Sequence, residues 1–236
     1  MQTPAQTGGW KGLKMAYKLE LHAHTSEISR CASATAEVLV EKYRNAGYNG
    51  VVITNHFDPE TLEALPGDTW ASKVRSYGDA VRHAADVAAD IDIFFGCELR
   101  MRENMNDYLL FGVSEEFLAS SPDIFSLGIK KLHEFCNENG ISVYQAHPFR
   151  NRMTICNPRM IDGIEVFNGH RGHDSRNEIA ARWAERYGLP VSSGSDFHDP
   201  FSAVNAGIET DFRIASQNEL REVLQSGSFR LLTDVK

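Results

Sequence analysis

Short apolar segments alternate with amphipathic segments along most of the chain. The apolar segments have the length of β-strands, and most are rich in Val, Ile, Phe and Tyr. The amphipathic segments place their apolar residues at helical spacing, and two of them are followed directly by Gly140 and Gly188, which is typical of helix ends. The pattern predicts strands over residues 17–21, 50–54, 91–96, 108–113, 141–145, 163–167 and 189–193, and helices over residues 34–46, 72–89, 126–139, 175–187 and 216–225.

The alternation of strands and helices favours a single α/β domain with parallel strands, spanning residues 1–236. Periodicity alone does not separate a doubly wound open sheet from a closed barrel. The glycine fingerprints G-x-G-x-x-G and G-x-x-x-x-G-K-[ST] are absent, which argues against a Rossmann-type cofactor site. Residues 1–15 show no apolar period, and we expect them to form a flexible tail.

The charge of the chain limits its partners. The formal net charge is -8, and no cluster of Lys and Arg is present that would neutralise a run of phosphates. We therefore expect no general binding to nucleic acid. An anionic substrate would need local positive charge, supplied by bound cations or by a few arginines.

The distribution of cysteines and apolar residues indicates a cytoplasmic protein. The four cysteines are scattered without C-x-x-C spacing, which is typical of reduced thiols. No apolar run approaches the roughly 18 residues of a membrane span, and the first residues lack the apolar core of a signal peptide. We expect no membrane partner.

Ligand-type side chains lie at the carboxyl ends of five predicted strands. Sites in parallel α/β folds are built at this end, and alternate residues of a strand face the same side, so each H-x-H or D-x-H pair can bind one cation. A single histidine here is equally well explained by an ordinary hydrogen bond, but buried ionisable groups at five strand ends are costly unless they bind metal. These residues are His22, His24, His56, Glu98, His147, Asp196 and His198.

Imidazole and carboxylate are the ligands of hydrolytic zinc, manganese and iron sites. One carboxylate, such as that of Glu98, can bridge two ions lying close together. The sequence therefore predicts two or three divalent metal ions, of zinc, manganese or iron, at the carboxyl ends of the strands.

Three arginines are candidates for binding an anionic substrate. Arg100 lies two residues after Glu98 on the same strand face, Arg150 follows His147 in AHPFR, and Arg171 lies in the loop NGHRGHDS. Each arginine can instead pair with a carboxylate or lie in solvent. The histidines of the same loop are equally consistent with a surface position and with a substrate contact.

Several separate motifs together resemble the PHP (polymerase and histidinol phosphatase) family over about residues 18–200. They are ELHAHT, GVVITNH, GCE, AHP, IEVFNG and GSDFH. The resemblance implies a distorted seven-stranded (β/α)7 TIM-like barrel with its site at the carboxyl end of the strands. It also implies a metal-dependent phosphoesterase in which activated water, with no protein nucleophile, attacks a phosphate monoester or diester such as a small phosphorylated metabolite or a nucleotide.

By motif, the resemblance distributes the ligand-type residues among three ions. It assigns a first ion to His22, His24, Glu98 and Asp196, a second to Glu98 and His147, and a third to His56 and His198.

The chain departs from the family pattern after its H-x-H motif. The family usually has a further aspartate or histidine there, whereas this chain has Ser29 and Arg30. Glu27 or Cys31 would then supply the missing ligand, or the third ion would be weakly held or absent.

Two further departures lie on the second and fourth predicted strands. Asn55 stands where the family has the aspartate of a T-D-H motif, and Asn106 or Asp107 stands where it often has a histidine. Asp107 is a weaker candidate for the second ion.

Two other functions stay open. One is a metal-dependent hydrolase of the amidohydrolase type that opens amides or lactones, although such enzymes often use a carbamylated lysine and no lysine lies at the strand ends named above. The other is a degenerate PHP module that binds metal without catalysis.

Overall fold

A computed structural model describes residues 16–233, and the predicted tail of residues 1–15 lies outside this range. The described residues form a mixed α/β structure. Its strands are β1 (Tyr17–Ala23), β2 (Gly50–Ile53), β3 (His56–Phe57), β4 (Asp92–Phe95), β5 (Cys97–Arg100), β6 (Asp107–Phe111), β7 (Ser142–Gln145), β8 (Gly163–Asn168), β9 (Val191–Gly194), β10 (Ala206–Thr210) and β11 (Arg230–Thr233). Its helices are α1 (Ala36–Asn45), α2 (Pro59–Ala64), α3 (Trp70–Val87), α4 (Glu115–Ala119), α5 (Gly128–Glu138), α6 (Asn177–Tyr187) and α7 (Gln217–Ser226).

Every predicted strand and helix is present, with no bound displaced by more than two residues. The sequence pattern missed β3, β5, β10 and β11. Strand β3 has only two residues, and β5 follows β4 after the single residue Gly96, so the two strands appear in the sequence as one apolar run. Strand β11 is only partly buried and therefore lacks a clear apolar pattern.

The described strands form two sheets, and no closed seven-stranded barrel is found among them. One sheet has the order β11-β10-β1-β2-β4, and the other has the order β3-β5-β6-β7-β8-β9. The prediction of uniformly parallel strands is wrong, because β6 runs antiparallel to both β5 and β7, and β10 runs antiparallel to β1 and β11. The six-residue connection between β5 and β6 is too short for the crossover that parallel strands need.

Gly96 marks the passage of the chain from one sheet to the other. A Cβ atom at this position would lie 2.7 Å from Cγ1 of Val52, so only glycine allows the backbone to pass so close to β2. The sheets also meet at a parallel bridge between Ala23 and Phe197. The carboxyl ends of β1, β5, β7 and β9 are thereby brought together.

The helices pack their apolar faces against the sheets and begin at ordinary caps. The hydroxyl of Thr69 accepts the amide of Ser72 in a capping box at the start of α3, and the Ser216 hydroxyl accepts the amide of Glu219 at the start of α7. Among residues 16–233, no helix combines the length and apolar character that crossing a bilayer requires.

Asp92 joins three distant parts of the first sheet. Its carboxylate accepts two hydrogen bonds from Arg213, at 2.6 and 2.9 Å, and one from the Tyr17 hydroxyl at 2.8 Å. The hydrogen bonds from Arg213 are the main cause that lowers the pKa of Asp92 below its usual value.

We expect Asp92→Asn to lower the free energy of unfolding at pH 7 by roughly 1 kcal/mol, since Arg213 is largely exposed. A carboxyl whose pKa is lowered by folding stabilises the fold above its unfolded pKa and loses this effect as pH falls through the folded value. Urea denaturation should therefore show a difference between variant and wild type at pH 7 that shrinks toward pH 3. An equal difference at both pH values would contradict the assignment.

Candidate metal centre

The side chains predicted as metal ligands converge at the carboxyl ends of the strands. Their ligand atoms form four overlapping groups, and all atoms within a group lie within 4.8 Å of one another. The groups are His22, His24 and Asp196; His22, Glu98 and His147; His56, Glu98 and Asp107; and His24, His56 and His198. Glu98 belongs to two groups, as expected for a bridging carboxylate.

The spacing of the innermost donors fits a divalent cation among them. His22 Nε2 lies 3.4 Å from both Glu98 Oε1 and Asp196 Oδ1, and His24 Nε2 lies 3.4 Å from Glu98 Oε2 and 3.3 Å from Asp196 Oδ1. Both Nε2 atoms and Asp196 Oδ1 are buried without a hydrogen-bond partner. Two ligands of one tetrahedral cation, each about 2.0–2.2 Å from it, lie about 3.3–3.6 Å apart.

Local backbone geometry places the donors. Gly194 lets β9 approach β1, because a Cβ atom there would lie 2.3 Å from Cβ of His22. Asp196 and His147 have φ angles of 50° and 25°, in the left-handed region that non-glycine residues rarely adopt. The backbone therefore turns sharply at both residues, just beyond the ends of β9 and β7.

Glu98 lies at the middle of the centre. Its Oε1 lies 2.9 Å from His147 Nε2, and its Oε2 lies 2.9 Å from His56 Nδ1. Asp107 is more distant, with Oδ2 at 3.9 Å from His147 Nε2, and its carboxylate accepts two hydrogen bonds of 2.7 Å from Arg100. Asp107 thus holds Arg100 in place at the edge of the centre.

The carboxyls of the centre differ in the direction of their pKa shifts: those of Glu98 and Asp196 are lowered, whereas burial raises the pKa of Asp107. Burial raises the pKa of Glu98 and of Asp196, but the neighbouring histidines, His22 foremost, lower both pKa values well below their usual range. Burial lowers the pKa of His22, and the charges of Asp196 and Glu165 raise it well above its usual value. For His24, burial and the charge of His198 lower the pKa. The charged forms of Glu98 and Asp196 are thus favoured by the histidines around them, and carboxylates of this kind are suitable ligands for a divalent cation.

A cavity of about 390 Å³ opens from the centre to the surface. Arg150 lines it and donates from Nη2 to Asp196 Oδ2 at 2.7 Å, while its buried Nε has no hydrogen-bond partner. His170 and His173 stack on each other along the outer part of the cavity. Arg171 lies outside it and lines two neighbouring cavities instead.

Comparison with known proteins identifies this architecture. Residues 174–229 match the model of the PHP-associated family, PHP_C. A two-domain protein from Bacteroides vulgatus that contains a predicted PHP-like metal-dependent phosphoesterase aligns with a TM-score of 0.67 and 18% identity, over 93% of this chain and 65% of that protein. The resemblance to the PHP family is confirmed. A search of curated proteins finds no match to the sequence.

Two further solved structures share this fold. PsfC from Pseudomonas syringae aligns with a TM-score of 0.69 and 14% identity, over 93% of this chain and 92% of PsfC. The lesion-specific endonuclease PfuEndoQ from Pyrococcus furiosus aligns with a TM-score of 0.61 and 18% identity, over 92% of this chain and 58% of the endonuclease. The chain thus spans less than two thirds of the Bacteroides and Pyrococcus proteins.

Two buried glutamates around the candidate centre were not predicted as functional residues. The first, Glu165 on β8, accepts a hydrogen bond of 2.9 Å from His22 Nδ1 and another of 2.8 Å from the amide of His147. With its Nδ1 proton held by Glu165, His22 directs the lone pair of Nε2 toward the centre. The sequence did contain a signal for both glutamates, since each lies inside an otherwise apolar run, IEVF or LELH. A carboxylate buried in such a strand needs hydrogen-bonding partners, which suggests a specific role.

We expect Glu165→Gln to weaken metal binding by about 10–100-fold, which is the usual effect of removing a carboxylate that orients a ligating histidine. The variant keeps the size of the side chain and loses the charge that fixes the His22 proton. Competition with a chromophoric chelator would measure the affinity, and the exposed Glu116→Gln would serve as the control. Equal affinities in Glu165→Gln and wild type would contradict the orienting role.

The second, Glu20 on β1, lies fully buried beneath the centre. Its Oε1 accepts the amides of Leu21, His22 and Ser195 at 2.8–3.0 Å. Its Oε2 accepts the hydroxyls of Tyr43 at 2.8 Å and Ser195 at 2.6 Å. Glu20 thereby ties the backbone before His22 to the backbone before Asp196.

The residues that depart from the PHP pattern form a network of their own. Ser29 Oγ donates to Asn55 Oδ1 at 2.9 Å, so His24 Nδ1 donates its proton to Ser29 Oγ at 3.2 Å. Asn55 Oδ1 also accepts the amide of Thr25 at 2.7 Å. Ser29 and Asn55 therefore orient His24 without supplying a charge.

Of the two residues considered as replacement ligands, only Cys31 lines the cavity. Glu27 is exposed and accepts the amide of Ala36 at 2.9 Å at the start of α1. Burial raises the pKa of the Cys31 thiol, but interactions with His198 and His56 outweigh this effect. Together they lower the pKa of the thiol to about 6.

Proposed function

We propose that the chain is a metal-dependent phosphoesterase that hydrolyses a phosphate monoester or diester of a small molecule. The observation that carries the proposal is the convergence of buried or unpartnered donors on one point beside a cavity that also holds arginines. Solved structures with this fold include a predicted PHP-like metal-dependent phosphoesterase and an endonuclease, which supports phosphoester chemistry.

We assign the donors to ions as follows. His22, His24, Glu98 and Asp196 would hold the first ion, Glu98 and His147 would hold the second, with Asp107 as a weaker ligand, and His56 and His198 would hold a third. Divalent ions supply Lewis acidity toward phosphoryl oxygens and make water a stronger nucleophile at neutral pH. They also provide the positive charge that a chain of net charge -8 otherwise lacks.

The side chains of this chain bind and orient the substrate. Arg150 lines the cavity and is held in place by Asp196, so its guanidinium can donate to a phosphate oxygen. Arg100 has Nη1 left for the same purpose, because Asp107 engages its Nε and Nη2. Arg171 would contact a more distant part of the substrate, from the neighbouring cavities.

The test combines metal analysis with a substrate screen. Protein purified without chelators would be analysed by elemental mass spectrometry and assayed against phosphate monoesters, phosphodiesters, amides and lactones. Two or more ions per chain with phosphoester turnover, both lost in a His22→Ala/Asp196→Ala variant, are expected. Amide or lactone turnover would favour the amidohydrolase alternative, and bound metal without any turnover would favour a binding module.

A further inference from the structure

Arg150, proposed above to bind a phosphate oxygen, lies in a loop that follows β7. The backbone of this loop is irregular, with φ angles of 25° at His147 and 75° at Arg152. Two hydrogen bonds close its turns, from the amide of Arg150 to the carbonyl of His147 at 3.0 Å and from the amide of Met153 to the carbonyl of Arg150 at 3.1 Å. A loop outside the helices and sheets keeps one conformation where other parts of the chain hold it. The position of the Arg150 guanidinium therefore depends on contacts from outside the loop.

Arg176 makes such contacts with the residues on both sides of Arg150. Its Nη1 donates to the carbonyl oxygen of Phe149, and its Nη2 donates to Oδ1 of Asn151 at 2.6 Å. The planar guanidinium keeps these donors in a fixed fork, so two simultaneous bonds set the orientation of the loop as well as its distance. Arg176 comes directly before α6 and thereby ties the loop to that helix.

The backbone of Arg176 is an independent sign that its side chain is needed. Its φ and ψ angles are 50° and 48°, in the left-handed region that favours glycine. Asp174 stabilises this conformation, because its Oδ1 accepts the amide of Arg176 at 3.0 Å and its Oδ2 lies 3.9 Å from Nε. Glycine would adopt the same backbone without strain but would lose both bonds to the loop. Strain retained in this way points to a role for the side chain.

The residues on either side of Arg176 reach the same place. Ser175 Oγ lies 3.4 Å from Nη2 of Arg150 and donates to Asn168 Oδ1 at 3.3 Å. Arg150 Nη2 donates to the same Asn168 oxygen at 3.0 Å. Asn177 holds Asn168 through two hydrogen bonds, accepting its amide at 3.0 Å and donating to its carbonyl at 3.1 Å. Three successive residues thus hold Arg150, its acceptor and the backbone around it.

We propose that Arg176 is a positioning residue that keeps Arg150 at the lining of the cavity beside the centre, where Arg150 binds the phosphate group of the substrate. Arg176 is outside the set of described residues that line this cavity, so it acts through the loop and does not touch the bound phosphate. Holding Arg150 in advance lowers the entropy cost of ordering its long side chain when phosphate binds. The inference rests on the proposed function for the identity of the ligand.

The test is a double-mutant cycle on the affinity for inorganic phosphate. Calorimetric titration of the metal-loaded protein would compare wild type, Arg150→Gln, Arg176→Gln and the double variant. We expect each single substitution to weaken phosphate binding by about tenfold, because each removes the charge-assisted contact of Arg150 with phosphate. The double variant should bind no more weakly than Arg150→Gln, since Arg176 acts through the side chain already removed. Losses that multiply to about a hundredfold would overturn the inference.

Kinetics separate positioning from a general loss of structure. Arg176→Gln should raise KM for the substrate found by the screen by about tenfold and keep kcat within about threefold of wild type. Partial unfolding would instead lower kcat with the folded fraction and leave KM unchanged, and that result would overturn the inference. Arg182→Gln, which replaces an exposed arginine of α6, is the matched control and should leave both KM and phosphate affinity as in wild type.

Asn151→Ala tests the same contact from the other side. Asn151 is exposed, so its loss should not prevent folding, and the substitution removes one of the two bonds from Arg176 to the loop. We expect phosphate binding to be about threefold weaker. Phosphate affinity equal to that of wild type in this variant would overturn the inference, also where Arg176→Gln does not fold.

The inference and the proposed function can fail separately. Phosphoester turnover by wild type, with unchanged phosphate affinity in Arg176→Gln, would overturn the inference alone. Phosphate binding that is weakened in the expected non-additive way, in a protein that turns over no phosphoester, would overturn the proposed function alone.

Discussion

Glu98→Gln is expected to lower the rate of phosphoester hydrolysis by about a thousandfold. Glu98 faces His22, His24, His56 and His147, and it is shared by two of the four donor groups. The amide keeps the shape of the side chain but removes the charge and one acceptor oxygen. A loss of roughly 4 kcal/mol of transition-state stabilisation corresponds to this factor, since each 1.4 kcal/mol is tenfold.

Steady-state kinetics on the substrate found by the screen would measure the effect, with metal content determined in the same samples. Asp107→Asn is the informative comparison, because Asp107 is farther from the histidines and is already paired with Arg100. We expect a smaller loss for that variant. A Glu98→Gln enzyme within tenfold of wild type would remove the bridging carboxylate from the mechanism.

Glu20→Ala is expected to destabilise the fold by about 3–5 kcal/mol, a large part of the stability of a typical domain. The substitution leaves five donors without their acceptor, three of them backbone amides, and opens a cavity beneath the centre. It also frees the segments that carry His22 and Asp196, so metal content should fall along with stability. Chemical denaturation of metal-free protein would measure the first effect separately from the second.

Glu20→Gln provides the matched control. Its amide oxygen can still accept the three amides, and the hydroxyls of Tyr43 and Ser195 can rotate to accept from its NH₂ group. We therefore expect a loss of only about 1 kcal/mol. If glutamine and alanine were equally destabilising, the charge of Glu20, and not its number of hydrogen bonds, would be the quantity that matters.

The residues proposed as metal ligands lie close together in the structure, whereas the arrangement of the strands was not predicted. His22, Asp196 and their neighbours were selected from the sequence because ionisable residues at strand ends are conspicuous against apolar runs. The two-sheet arrangement was not found, because it depends on the passage of one backbone past another at Gly96, which leaves no periodic trace in the sequence. Antiparallel β6 was missed for the same reason: the residues of a strand do not encode its direction.

The contacts that surround the centre could be predicted only in part from the sequence. Ser29 was interpreted as standing in place of a missing ligand, and Asn55 as replacing a carboxylate that would orient or ligate; in the structure the two side chains form a pair that fixes the proton of His24. Such a role depends on two side chains meeting across 26 positions of sequence, which a pattern of single residues does not show. Glu165 was overlooked because its partner, His22, lies 143 positions away.

The left-handed backbone at His147 and Asp196 sets a limit on engineering this chain. Non-glycine residues in that region cost roughly 1–3 kcal/mol each, so glycine at either position would relax the backbone. A library selected for heat resistance alone would therefore enrich these replacements and discard two donors of the centre. Selection for thermostability should hold both codons fixed and look for its gains at solvent-facing helix positions instead.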